Sequence, residues 1–423
     1  MSFLELGLSP EVCQAVADAG YTTPTPIQAA AIPQVLMGRD VLATAQTGTG
    51  KTAAFTLPMI DVLAQGRAKA RMPRSLILEP TRELADQVAT NFEKYGKHHK
   101  LSMALLIGGV SFGDQEKIID RGVDVLIATP GRLLDHFERG KVMLNGVKTL
   151  VIDEADRMMD MGFMPDVERI VKLLPTIRQT LFFSATMAAD MRRLADQFLT
   201  NPKEISVARP AATATNVEQG LAVVPDEDKR EALRNLIRQE NVKNAIIFCN
   251  RKRDVDILHK SLVRHGFNAA ALHGDLVQSV RMETLAKFKA GEISLLVASD
   301  VAARGLDVQG MSHVFNFDVP IHSEDYVHRI GRTGRAGMTG RAFTLATPDD
   351  GRFVADIEKL IGKEIPRIEI PGVATVAFEE GDGRRRRGRR TAAPKREGRS
   401  EGRGERSRSE RPRRERSKPE QVE

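Results

Sequence analysis

The chain has no tryptophan, only three tyrosines and only two cysteines in 423 residues. The cysteines, Cys13 and Cys249, lie far apart and lack metal-ligand spacing. That excludes a disulfide framework and a cysteine-built zinc site, and it suits a reducing compartment. No apolar run approaches a membrane span. "MALLIGGV" (Met103 to Val110), among the longest, falls far short of the roughly 20 residues a spanning helix needs. The first residues, "MSFLELGLSPEV", carry neither a basic region nor an apolar core, so no secretion signal is expected.

A net excess of positive charge is also missing from most of the chain, despite a formal net charge of +7. Residues Gly381 to Glu423 hold 17 of the 63 basic residues and 8 of the 56 acidic ones, leaving 46 basic and 48 acidic residues for the rest. The body is therefore near neutral and the excess sits in an Arg/Gly-rich tail. From Gly383 to Glu420 that tail has no Val, Ile, Leu or aromatic residue. It cannot bury apolar surface and is expected to be disordered. Such segments favour phosphate backbones; the plainer alternative is a solubilising tail without a target.

What is present is a rhythm. Apolar runs "DVLATA", "SLILEP", "SMALLIGG", "DVLIATP", "TLVIDEA" and "QTLFFSAT" alternate with helix-length segments. This is the βαβ pattern of a parallel sheet. It pauses around "NPKEISVARPAATATNVEQG", then restarts with "NAIIFCN", "AAALHGD", "SLLVASD", "HVFNFD" and "GRAFTLAT". The reading is an α/β protein with lobes at 1–207 and 216–372, a linker at 208–215, and a tail at 373–423.

The run Ala45-Gln46-Thr47-Gly48-Thr49-Gly50-Lys51-Thr52 follows the first strand and opens a helix. It fits a phosphate-binding loop, except that Ala45 stands where the generic pattern has glycine. Gly48 and Gly50 let backbone N–H groups curl around phosphate oxygens. Lys51 supplies a point charge, Thr52 offers a hydroxyl to Mg²⁺, and the helix N-terminus adds its dipole. Downstream, "IDEADR" places three carboxylates at the end of a strand, a costly arrangement without a cation. Asp153 is positioned to serve the metal, and Glu154, pointing differently, to hold an attacking water.

Asp153-Glu154-Ala155-Asp156 resembles the signature of the DEAD-box RNA helicases, a branch of helicase superfamily 2. Other motifs stand in that family's order across almost all of residues 1–370. "MSFLELGLSPEV", "DMGF" and "IEKLIGKEIPRIEIPG" are most similar to the bacterial RhlE-like subgroup. The resemblance implies two tandem RecA-like parallel-sheet domains, ATP and Mg²⁺ as ligands, and RNA-stimulated ATP hydrolysis driving local opening of short duplexes or ribonucleoprotein remodelling. "GYTTPTPIQ" resembles the adenine-reading motif, with Gln28 on the adenine edge and Tyr21 on its face; the plainer reading is a helix start at Pro26. Pro80-Thr81-Arg82, Gly108-Gly109 and Thr129-Pro130-Gly131-Arg132 resemble RNA-backbone loops. Ser184-Ala185-Thr186 resembles the motif linking hydrolysis to duplex opening, with Asp156 coupled to it.

In the second lobe, Asn250 of "IIFCN", Gln278 and Arg281 of "VQSVR", and Ser299, Asp300, Arg304 and Gly305 of "SDVAARGLD" resemble RNA-contact and coupling motifs. Asp307 would bind the ribose. Ser299 stands where threonine is commoner. "HRIGRTGR" carries His328 and two arginine fingers, Arg332 and Arg335; one such finger is worth about 10³ to 10⁵ in rate. One departure is Glu79 before "PTREL", where the family usually has a small or neutral residue. The scarcity of large aromatics suits reading of phosphates and 2′-hydroxyls, hence RNA with little sequence preference.

Three false matches are set aside. Gly109-Val110-Ser111-Phe112-Gly113 fits a hydrolase nucleophile elbow, but the same glycines already serve the helicase reading. His98-His99 lacks further ligands at metal spacing, and Met158, Met159, Met161 and Met164 read as core filler. The rivals to an unwinding enzyme are an ATP-gated RNA clamp and a DNA translocase. A cytoplasmic monomer working on ribosomal precursors or with RNA-decay machinery is expected, with no membrane partner.

Overall fold

The computed structural model describes residues 2–45, 48–207, 217–303, 311–334 and 339–379. Gln46, Thr47, the expected linker 208–215, Arg304, Gly305, Asp307, Arg335 and the chain from Glu380 onward lie outside the described residues.

Two parallel sheets organise the rest. The first runs β1 (Val41–Thr44), β2 (Ser75–Leu78), β3 (Met103–Leu106), β4 (Val125–Ala128), β5 (Thr149–Ile152), β6 (Gln179–Ser184) and β7 (Lys203–Ser206), in the order β3-β4-β2-β5-β6-β1-β7. The second comprises β8 (Val217–Val223), β9 (Ala245–Cys249), β10 (Ala269–Leu272), β11 (Leu295–Ser299), β12 (His313–Asn316) and β13 (Gly340–Ala346), in the order β10-β11-β9-β12-β13-β8. The central strands are continuous apolar runs because helices cover both faces and leave no solvated side.

Two strands differ from the sequence reading. β7 and β8 fall in the stretch where the rhythm pauses; β7 pairs with β1, and β8 pairs with β13 and also bridges Arg367 through Leu221. β7 buries only Ile205, as an edge strand with few neighbours does. The second lobe also extends past residue 372. Val376 N–H donates to the Val223 carbonyl, and Val376 and Phe378 pack on the core of that lobe, so residues 373–379 belong with it and not with the tail.

Side-chain alternation divides the first sheet cleanly. Ala43, Ile77, Ile127, Val151 and Phe183 face helices Pro26–Leu36, Lys51–Ala64 and Arg82–Gly96. Leu42, Leu76, Leu78, Leu126, Ile152 and Phe182 face the opposite helix layer, where Met158 and Met164 also pack. Continuing this period of two past the strand ends sends Glu79 and Asp153 toward the layer that contains the helix beginning at Lys51. Parallel strands all end on one side, so the phosphate loop, the acids from Asp153 to Asp156 and the segments that follow β2, β3, β4, β9 and β11 leave the carboxyl edges of their sheets, where α/β proteins bind ligands.

Candidate functional site

The phosphate loop is held from outside. Gly50 caps the helix Lys51–Ala64 with φ 91°, a left-handed conformation that glycine adopts without penalty. A Cβ there would come within 2.4 Å of Gln28 Nε2. Gln28 is buried in the first turn of helix Pro26–Leu36. Its Nε2 donates to the Gly50 carbonyl at 3.2 Å, and its Oε1 accepts from Thr25 N–H at 2.9 Å. The helix start at Pro26 is therefore present, and the same amide ties it to the loop. Lining one cleft of about 360 Å³ are Tyr21, Gln28, Gly48, Gly50, Lys51 and Thr52, together with Asp153, Glu154 and Arg332. Ala45 is buried in the core beneath the loop, and Thr49 sits between the two glycines.

The acids occupy distinct environments. Glu154 has φ 51° and ψ 46°, a left-handed conformation that costs a non-glycine residue of order 1–3 kcal/mol and breaks the strand's alternation. Its carboxylate meets Lys51 Nζ at 3.0 Å and Arg157 Nε at 3.2 Å, all three side chains being almost fully buried. Burial pushes its pKa up, but Arg157 and Lys51 outweigh that and hold it well below the usual carboxylate range. Lys51 shows the converse: burial pulls it down, yet Glu154, Asp153 and Asp156 keep its ammonium above the ordinary value. Burial pushes Asp153 up to about 7, with Lys51 opposing and Glu154 adding to the shift. Asp156 instead accepts hydrogen bonds from Ala185 N–H (3.1 Å), Thr186 N–H (3.0 Å) and the Thr186 hydroxyl (3.2 Å). Ser184 is fully buried, and its hydroxyl donates to the Thr186 carbonyl at 2.6 Å.

Glu79, at the end of β2, is fully buried. Among the described residues neither of its carboxylate oxygens has a hydrogen-bond partner. Burial raises its pKa well above the ordinary value, and Asp153 and Glu154 push the same way.

The RNA-motif residues cluster on the carboxyl edges. Thr81 caps helix Arg82–Gly96, accepting from Leu84 N–H at 3.3 Å, and Pro80 precedes it. Thr129, Pro130 and Gly131 open helix Pro130–Glu138. Arg132 donates to Gln115 Oε1 at 2.9 Å and to the Val110 carbonyl at 2.5 Å, with its guanidinium 3.3 Å from the centre of the Phe112 ring. Arg82 and Gln278, in different lobes, bond to each other at 3.2 Å. Gly108 and Gly109 allow that approach: a Cβ on Gly109 would lie 2.7 Å from Arg82 and 3.1 Å from Gln278. Beside them Arg281 meets Glu83 at 2.7 Å, with both side chains under 8 % exposed.

Asn250 and Asp300 serve another partner. Arg329, fully buried, donates to both oxygens of Asp300 (2.7 and 2.6 Å), to Asn250 Oδ1 (2.7 Å) and to the Asp318 carbonyl (2.6 Å). Ser299 ends β11 beside Cys249 of β9. His328 lies near enough for its charge to act on Glu154. His98 pairs with Asp18 at 3.3 Å, and no cluster of three metal-ligating residues occurs among the described residues.

Sequence reasoning passed over Glu83 and Arg329, whose partners lie far along the chain. It also missed Phe3, which lines the nucleotide cleft with Tyr21. The signal for Arg329 was its place within "HRIGRTGR"; Phe3 had none beyond an aromatic in an aromatic-poor chain.

Comparison with known proteins places this geometry. A family model described as DEAD/DEAH box helicase matches residues 25–194, and one described as helicase conserved C-terminal domain matches residues 228–337. The DEAD-box ATP-dependent RNA helicase RhpA of Helicobacter pylori is 44% identical over 372 residues, 88% of this chain and 75% of RhpA. CshA of Bacillus subtilis, of the same description, is 42% identical over 371 residues, 88% of this chain and 74% of CshA. The structure of S. cerevisiae Dbp5 bound to RNA and ADP BeF3 superposes with TM-score 0.77 at 31% identity, covering 87% of this chain and 95% of that one. That of Mss116p bound to ssRNA and AMP-PNP gives 0.76 at 28% identity, covering 87% and 78%. The chain belongs to the DEAD-box ATP-dependent RNA helicases.

Proposed function

We propose that ATP turnover in this protein is gated by lobe closure, and that RNA drives the closure. One observation carries the reading: Arg332 of the second lobe lines the same cleft as Lys51, Thr52, Asp153 and Glu154 of the first. Neither lobe alone owns the full set of charges. Lys51, held protonated, binds phosphate oxygens. Glu154, held ionised, accepts a proton from the attacking water as general base. Arg332 meets the charge that develops on the transferred phosphoryl group, and Arg335, outside the described residues, is assigned the same task. Tyr21 and Gln28 take the adenine, and Asp307, also outside them, takes the ribose.

Mg²⁺ fits the donor set. Asp153 and Thr52 are hard oxygen donors in one cleft, and an ion that would draw its other ligands from phosphates and water needs no second protein carboxylate. Bound there, it would neutralise phosphate charge. Arg132, with its neighbours Thr129 to Gly131, and the loops at Pro80 to Arg82 and Gly108-Gly109 bind the RNA backbone. Asp156 relays the state of the acids to Ser184-Ala185-Thr186. Gln278 and Arg281 fasten the lobes, while Asn250 and Asp300 act through Arg329. Arg304, Gly305, Ser299 and His328 complete the reading of RNA and nucleotide.

The tail adds a sequence-independent RNA tether. The RhlE-like assignment, a cytoplasmic monomer and a role in ribosome assembly or RNA decay belong to this reading too. No helix among the described residues is long and apolar enough to cross a membrane. The test is phosphate release with and without RNA. Lys51→Ala and Glu154→Gln should each abolish the RNA-stimulated rate while circular dichroism stays that of the parent; full activity in either variant overturns the assignment.

A further inference from the structure

The proposed function leaves a buried amide behind the RNA loops without a task. Gln115 stands in helix Phe112–Asp120 and is 4 % exposed. Its Oε1 accepts from Arg132 Nε at 2.9 Å and from His136 Nε2 at 2.8 Å, and its Nε2 donates to the Ile107 carbonyl at 3.0 Å. His136 is fully buried; burial lowers its pKa, Arg132 pushes the same way and Glu116 opposes. In the neutral ring Nε2 carries the hydrogen, and Nδ1, without a partner among the described residues, is left as a lone pair. Arg132 in turn donates to the Val110 carbonyl at 2.5 Å. The two carbonyls so held stand on either side of Gly108-Gly109. One amide therefore joins the paired-glycine loop to the helix that opens at Pro130.

The acceptors that hold Arg132, an amide oxygen and a carbonyl, are both uncharged. Glu116 and Glu138, acids of the same two helices, pair instead with Lys141 at 3.1 Å and Arg169 at 2.8 Å. The Phe112 ring centre lies 3.3 Å from the guanidinium of Arg132 and 3.8 Å from that of Arg139, so a second cation stands beside the first. The bonds to Gln115 and Val110 fix the plane of Arg132 and leave the rest of its N–H fork for phosphate oxygens.

We propose that Gln115 is a positioning residue for RNA binding: it locks Arg132 and the paired-glycine loop into one rigid arrangement while leaving the arginine's charge uncompensated. The inference rests on the reading that Arg132 and Gly108-Gly109 bind the RNA backbone. A side chain frozen before RNA arrives costs less to immobilise when it binds. A purely structural glutamine would cost folding stability and leave the RNA affinity of the folded protein intact.

The test is equilibrium binding of a labelled single-stranded RNA to the full chain with Mg²⁺ and a non-hydrolysable ATP analogue, alongside thermal melting. Gln115→Met and Gln115→Leu keep the bulk and remove the bonds. Each should weaken RNA binding by about five- to tenfold, the scale of freezing one long side chain. Phosphate release without RNA should stay parental. On an Arg132→Ala background the Gln115 effect should shrink below about twofold, because the group it aims is gone. Parental RNA affinity in both folded variants overturns the proposal, and so does an undiminished effect on the Arg132→Ala background. Loss of folding in both overturns it too, since Gln115 would then be a strut of the core. Parental RNA affinity in Arg132→Ala itself would instead sink the functional reading of that loop.

Discussion

The ion pair between Glu83 and Arg281 offers a quantitative handle on closure. At 2.7 Å, with both side chains under 8 % exposed, the gross attraction at an effective dielectric of 20 is about 6 kcal/mol. Desolvating two charges offsets much of it, and close interfacial pairs commonly retain a coupling of about 2 kcal/mol or more. Glu83 stands in the first turn of helix Arg82–Gly96, where the helix dipole favours an acid. Arg281 stands in the first turn of helix Gln278–Lys289, where the dipole disfavours a base. Arg281 therefore depends on its partner. Truncating either member leaves a charge that reaches water only when the lobes part, so the cost falls on closure and not on folding. Glu83→Ala or Arg281→Ala should lower RNA-stimulated phosphate release at subsaturating RNA by about thirtyfold, the equivalent of about 2 kcal/mol. Melting should move little. The exchange Glu83→Arg with Arg281→Glu should recover most of the loss, because the dipole terms exchange along with the charges. If the exchanged protein is no faster than the single variants, or the single variants run at the parental rate, closure does not rest on this pair.

Two further outcomes follow from buried charge. Asp153 titrates at about 7 in the folded protein against an ordinary 3.8, so between those values the fold holds a proton that the unfolded chain has released. Stability of the nucleotide-free protein should then fall as pH rises through that window, giving a higher melting temperature at pH 6 than at pH 8. Asp153→Asn should lessen that slope, and a parent that melts higher at pH 8 than at pH 6 contradicts the assignment. Arg329→Ala removes the partner of Asp300 and Asn250 and should destabilise the second lobe by about 3–5 kcal/mol in denaturant unfolding, with the first lobe's transition unmoved; a loss under about 1 kcal/mol would deny Arg329 its structural weight.

Most of the fold was legible because parallel strands buried on both faces write themselves as apolar runs, as "SLIL" and "TLVI" do. β7 was hidden because an edge strand needs only one buried residue, Ile205. The candidate nucleotide cleft was legible for a related reason: a glycine-rich loop is local, so its glycines and Lys51 stand together in the sequence. What spacing does not carry is pairing across the chain. Asn250 and Asp300 read as RNA-contact and coupling residues on motif alone, and the motif did not show that Arg329, 79 and 29 residues away, engages both. Glu83 looked like an ordinary acid in a helix's first turn until Arg281 stood opposite. Gln28 was read for adenine, and its bond to Gly50 reveals a mechanical tie that no motif describes.

In the first lobe the strands all run in one direction, so the phosphate loop and the acids share one rim. The opposite rim carries helix-to-strand turns such as the one at Gly140, where an added Cβ would meet nothing within 4 Å. Inserted peptides, affinity tags or whole fused modules placed there would hang from the side of that lobe away from the cleft. A lineage of such enzymes can thus acquire new cargo without rebuilding its motor.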